Sequence, residues 1–226
     1  MKKLLLILMA VSMLAMGSAC KEEEAPKETP KSTQSAQKTE EKKEETKTEE
    51  KKEEVADVYA RKIMFTIEME NGGVMKGELY PDLAPITVEN FVKLVNNKFY
   101  DGLIFHRVIP GFMIQGGGFD KDFKEKETES IKGEFKSNGI KNGLKHERGV
   151  LSMARTMVPD SASSQFFIMH ETSPHLDGEY AAFGRITEGL EIVDKIATTK
   201  TTTKPEMGMS DVPAEAQVIK TITITE

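Results

Sequence analysis

The sequence predicts an all-β-dominated fold: an antiparallel sheet closed on itself, with two helices. Two observations predict it. From about residue 58 onward the chain holds many short runs of apolar residues, several of them alternating, bounded by Gly, Asn and Pro. Only two stretches have helical spacing. Many short strands with few helices cover their apolar faces best as a closed antiparallel sheet.

The elements follow in order. Ile63, Phe65, Ile67 and Met69 alternate with other residues, Asn71-Gly72 turns the chain, and residues 74–80 return. This is a hairpin pattern. Pro85 suits a first helical turn, and residues 85–97 place Val88, Phe91, Val92 and Val95 on one stripe. Residues 119–143 are charged, contain Gly and Asn, and read as loop. Residues 150–154 and 165–169 read as strands, and 180–185 as strand and turn. Residues 190–197 form the second helix, and 218–225 close the sheet with alternating Val/Ile and Thr/Lys.

The first sixty residues have a different composition. Lys2 and Lys3 precede an apolar run from Leu4 to Met16, then Gly17-Ser18-Ala19-Cys20. A charged start, a short apolar run and small residues form an export signal. The run is too short to span a bilayer comfortably. Cys20 is the only cysteine, so an intramolecular disulfide is excluded. Its position resembles a bacterial lipobox, although Gly17 stands where that pattern usually has Leu. Lipidation at Cys20 would anchor the chain stably if two or more acyl chains were attached. Residues 21–54, most of the linker, are Lys, Glu, Thr, Ser, Gln and Pro with almost nothing apolar. Such a segment cannot offset its ordering entropy and reads as a disordered tether. Its span as a flexible coil is roughly 30 Å. The domains are therefore 1–20 signal, 21–57 linker and 58–226 folded. The expected location is outside the cytoplasm on a bacterial membrane, with a secreted or periplasmic soluble form as the alternative.

The net charge of −6 is mild and its signs are mixed, which gives no basic patch for nucleic acid. His106, His146, His170 and His175 have no zinc spacing. Ser163, Ser164 and His170 lack a nucleophile elbow. Gly116-Gly117-Gly118 lacks the ending of a phosphate loop. His106 reads as a packed core residue rather than a base. No metal or cofactor is expected.

The informative stretch is residues 105–118, FHRVIPGFMIQGGG. A cation, Arg107, stands among apolar residues, where arginine is rarely left without a task. Pro110-Gly111 marks a turn that returns the chain toward Arg107. In an extended segment Met113 and Gln115 share a face. The product is a pocket wall of Phe and Met with a guanidinium and an amide at its lip, the usual composition of a small binding site.

Residues 100–117, YDGLIFHRVIPGFMIQGG, resemble the signature of the cyclophilins, the peptidyl-prolyl isomerases. Leu151–Thr156 and Ser161–Ile168 resemble that family's second signature, and Leu176-Asp177-Gly178 and Phe183-Gly184 also match. The resemblance runs from about Ile63 to the C-terminus. It implies an eight-stranded antiparallel barrel capped by two α-helices, with the site on an outer face. It implies catalysis by Arg107 and Gln115. Substrate binding falls to Phe112, Met113, Ala154, Arg155, Thr156, Gln165, Phe167, His175, Leu176 and Tyr180.

Three positions depart from the eukaryotic pattern. Arg155 replaces Asn, His175 replaces Trp, and Tyr180 replaces His. The second implies weak cyclosporin binding. The implied partners are proline-containing unfolded or exported polypeptides, met by a monomer. A non-catalytic proline-peptide binding module on the same tether is the alternative.

Overall fold

The computed structural model describes residues 61–225. The expected signal, the lipidation site Cys20 and the linker lie outside the described residues. Eight strands close an antiparallel barrel, and two helices stopper it. In chain order they are β1 (Ile63–Met69), β2 (Val74–Leu79), α1 (Pro85–Asn96), β3 (Leu103–Ile109), β4 (Met113–Asp120), β5 (Val150–Met153), β6 (Phe166–Met169), β7 (Ala182–Glu188), α2 (Leu190–Ala197), β8 (Thr201–Lys204), β9 (Met209–Pro213) and β10 (Gln217–Thr225). Around the barrel the order is β1-β10-β3-β4-β6-β5-β7-β2. Strands β8 and β9 form a separate two-stranded sheet.

Alternation decides what fills the barrel. Phe65, Ile67 and Met69 of β1 point inward and are almost fully buried, as are Met75 and Leu79 of β2. The connecting turn is closed by Met69 N–H to Gly73 O at 2.8 Å and Gly73 N–H to Asn71 Oδ1 at 3.0 Å. Helix α1 buries Thr87, Val88, Phe91, Leu94 and Val95. Val92, expected on that stripe, lies at its edge while Leu94 turns in. Phe91 is the hub: its ring centroid lies 5.3 Å from those of Tyr100 and Phe183, 5.6 Å from Phe166 and 6.1 Å from Phe65. Tilted and edge-on aromatic contacts of this kind add to plain area burial.

The start of α1 is capped from a distance. Ala84 offers no side-chain cap. The buried Glu134 instead accepts from Ile86 N–H at 3.1 Å, Thr87 N–H at 2.7 Å and Thr87 Oγ1 at 2.7 Å. A carboxylate at a helix N-terminus meets orphan donors and the positive end of the dipole. The long segment 121–149 is therefore tied to the barrel. Asn142 Nδ2 donates to Glu134 O and Ala182 O, and Phe135 is buried.

The β8–β9 hairpin was not expected from the sequence. Its first strand is Thr-Thr-Thr-Lys, exposed along most of its length, so no apolar alternation marks it. Its second strand buries Val212 and Pro213 and packs along β3.

Candidate active site

A local shift in register between β3 and β4 creates the site. Phe105 pairs with Gly116, yet Arg107 pairs with Gln115. Two steps on β3 meet one step on β4, so His106 is the extra residue of a β-bulge. Strict alternation would put Arg107 on the inward face with Phe105, which is fully buried. The bulge re-aims it to the outer face. Gly116 allows this close approach: a Cβ there would lie 2.9 Å from Ile104 O and from the Phe105 ring.

A row of partners then crosses four strands. Arg107 on β3 faces Gln115 on β4, Gln115 faces Phe167 on β6, and Phe167 faces Ser152 on β5. Directly opposed residues share a face of the sheet. Two residues along, Met113 pairs with Ile109 and Met169. Met113, Phe167, Met169, Leu176, Val150 and Ala182 form an apolar cluster distinct from the barrel core. Over it opens a hollow of about 180 Å³ lined by Arg107, Phe112, Met113, Gln115, Ala154, Arg155, Phe167, Leu176 and Tyr180. This is smaller than the roughly 300–1,000 Å³ of drug-sized ligand sites, and suits a single small apolar ring.

The other three expected site residues stand outside that lining. Gln165 is joined to it through Gln115, its Oε1 accepting from Gln115 Nε2 at 3.0 Å. His175 stacks on Phe112 with ring centroids 5.8 Å apart. Thr156 turns into its own loop: its Oγ1 donates to Ser161 Oγ at 2.8 Å and accepts from Val158 N–H at 3.2 Å.

Two guanidiniums reach the hollow, and they differ. Arg155 donates from Nε and Nη2 to Glu179 O at 3.1 and 2.8 Å, and from Nη1 to Thr156 O at 2.8 Å. It also lies over the rings of Phe135 and Tyr180 at 4.9 and 4.7 Å. Its side chain is only 12% exposed. Its donors are committed to holding the Tyr180 rim. The Arg107 side chain is 42% exposed, a lip residue rather than a buried cation, and its ion-pair partner among the described residues is Asp211, at a loose 3.9 Å. Arg107 is the cation with hydrogen bonds to give.

Sequence reading missed the support beneath the floor. His146 is buried, stacked on Phe167 with centroids 6.1 Å apart. Its Nδ1 lies 3.2 Å from Asp177 Oδ1 and its Nε2 3.0 Å from Ser152 Oγ. Burial pushes its pKa down, against the opposing pull of Asp177, so the ring is neutral at pH 7. Burial raises the Asp177 pKa, but hydrogen bonds from the His146 N–H, its ring and Lys145 outweigh that and hold it low. Ser152 is fully buried, so this Ser-His-Asp line braces the aromatic floor and presents no nucleophile. His106 is also buried, and its pKa is pushed down to about 4, by burial first and then by the charge of Arg107. Its Nδ1 has no hydrogen-bond partner among the described residues.

Comparison with known proteins decides the family. The family model described as cyclophilin type peptidyl-prolyl cis-trans isomerase/CLD matches residues 64–224, most of the chain. The chain is a cyclophilin. A peptidyl-prolyl cis-trans isomerase of Acinetobacter baylyi is 50% identical over 144 residues, 61% of this chain and 74% of that one. Peptidyl-prolyl cis-trans isomerase B of Escherichia coli is 42% identical over 173 residues, 72% of this chain and all of the relative. Among solved structures, a Cryptosporidium parvum cyclophilin type isomerase superposes with a TM-score of 0.60 at 29% identity, covering 74% of this chain and 99% of that one. The same parasite protein in the presence of the dipeptide Ala-Pro gives 0.58 at 29% identity, covering 72% and 99%. This cyclophilin shares their closed barrel and carries peptidyl-prolyl cis-trans isomerase activity.

Proposed function

We propose that the outer-face hollow seats the prolyl ring of an extended polypeptide while Arg107 promotes rotation about the preceding amide. The amide barrier is about 18–20 kcal/mol, and free X-Pro bonds exchange in tens to hundreds of seconds. An acceleration of about 10⁵ requires about 7 kcal/mol off that barrier. No bond forms or breaks, so neither a nucleophile nor a cofactor is needed. At the twisted state the prolyl nitrogen loses amide resonance and gains a lone pair. A guanidinium donor beside that atom binds the twisted state more strongly than either planar isomer, and only such differential binding speeds the step.

Phe112, Met113, Phe167 and Leu176 hold the ring against rotation. Gln115, oriented by Gln165, hydrogen-bonds the substrate main chain. The observation that carries this reading is the Arg107–Gln115–Phe167 row, which sets donor, amide and ring floor on one face. The solved relative prepared with Ala-Pro supports a prolyl dipeptide as the recognised unit. An exchange assay on a short Ala-Pro peptide tests it: residues from about 58 onward should collapse the cis–trans lag at substoichiometric enzyme. An unchanged lag refutes it.

We also infer that the substrates are exported polypeptides and that the chain is anchored by lipid at Cys20. The Lys-led apolar run ending at that cysteine and the polar linker after it support this. In full-length protein, Cys20→Ser should move the protein from membrane to soluble fraction, and mass spectrometry of the N-terminus should show the acyl groups. Membrane recovery of the variant equal to wild type would contradict the anchor.

A further inference from the structure

Arg107 and Asp211 lie on strands of different sheets, and each is aimed by an irregularity in its own strand. On the barrel side the cause is the His106 bulge described above. On the hairpin side, Thr202 pairs with Val212 and Lys204 with Met209. Three steps on β9 thus oppose two on β8, which places a second bulge at Ser210–Asp211. Asp211 has φ +59°, a left-handed conformation that few non-glycine residues adopt, Asp and Asn being the better tolerated. Bulges beside active sites commonly serve to re-aim a side chain. Here the re-aimed carboxylate puts Oδ2 3.9 Å from Arg107 Nε.

The same oxygen accepts from Ser210 Oγ at 3.2 Å. The hairpin is fixed in place. Val212 is fully buried, β9 packs along β3, and Lys204 Nζ lies 4.3 Å over the Phe123 ring. The contact is to Nε, on the stem side of the guanidinium, so both Nη groups remain for the substrate.

We infer that Asp211 is a positioning residue for Arg107, holding the long arginine stem so that its Nη edge stays over the hollow. This rests on the isomerase reading and adds the hairpin to the working site. An unrestrained arginine must be ordered at each turnover, and prior positioning removes that loss. The effect should therefore fall on the rotation step rather than on peptide binding.

Asp211→Asn and Asp211→Gly test this, because both residues accept the left-handed conformation and neither carries the charge. NMR exchange on an Ala-Pro peptide gives binding and on-enzyme rotation separately. Both variants should melt at or above the wild-type temperature and bind within about twofold of wild type. On-enzyme rotation should slow about three- to fivefold, the scale of a half-exposed ion pair. In an Arg107→Lys background, Asp211→Asn should slow rotation by less than that. The inference is overturned if rotation matches wild type, if its loss tracks a fall in melting temperature, or if the full loss recurs in the Arg107→Lys background. Wild-type protein run alongside separates the two readings: no rotation there would sink the isomerase reading itself.

Discussion

Gln115 Nε2 donates to Gln165 Oε1 at 3.0 Å, and the Gln165 side chain occupies the space left because residue 118 has no Cβ. A Cβ on Gly118 would lie 2.6 Å from Gln165 Cγ and Nε2. The third glycine of the run is thus a clearance for the residue that orients the Gln115 amide, to which the proposed mechanism gives the substrate main chain. A flexible side chain can move away more cheaply than backbone. Gly118→Ala should therefore fold with little loss of stability while releasing Gln115. Isomerase activity should fall about two- to tenfold, the scale of one neutral hydrogen bond. Wild-type activity in a folded Gly118→Ala protein would show that Gln115 needs no such support.

Glu134 reaches α1 from a segment far along the chain. Its removal strands two helix N–H groups and the Thr87 hydroxyl in a buried place. Glu134→Ala should destabilise the fold by about 2–4 kcal/mol. Urea unfolding measures this, and a loss under about 1 kcal/mol would contradict the capping role.

Stability should also depend on pH through His106. The unfolded chain takes up a proton on this residue near about 6.5. The folded protein does so only near about 4. The stabilisation is present in full above about pH 6.5 and is lost as the pH falls through about 4, on the order of 3 kcal/mol in all. His146, also held below its ordinary value by burial, acts in the same direction. His106→Gln, which cannot titrate, should lose less stability than wild type between about pH 7.5 and about pH 4.5, a window that brackets the unfolded value. Equal losses in the two proteins would rule out His106 as the source.

Strands β1, β2 and β10, both helices and the main hairpin turn were legible in the sequence because alternation and helical stripes are local signals, whereas β3 was not read as a strand. Phe65, Ile67 and Met69 announce β1, and Val88, Phe91 and Val95 announce α1, without reference to any other segment. The candidate site was legible for a different reason, the resemblance across residues 100–117. Period-two reading alone sends Arg107 into the core beside Phe105, since a bulge of one residue leaves no compositional mark. The β8–β9 hairpin escaped notice because Thr201–Lys204 is polar and exposed. Glu134 and Asp211 escaped because each acts across a long sequence separation, on a partner that only folding brings near.

The proposed mechanism turns on Arg107 at the moment of rotation. NMR exchange spectroscopy of an Ala-Pro peptide with Arg107→Ala, beside wild type, reads binding and on-enzyme rotation in one sample. The expected result is a folded protein that binds the peptide within a few-fold of wild type and rotates it about 10²–10³-fold more slowly, the usual effect of removing one transition-state donor. Rotation near the wild-type rate would contradict the role assigned to this guanidinium.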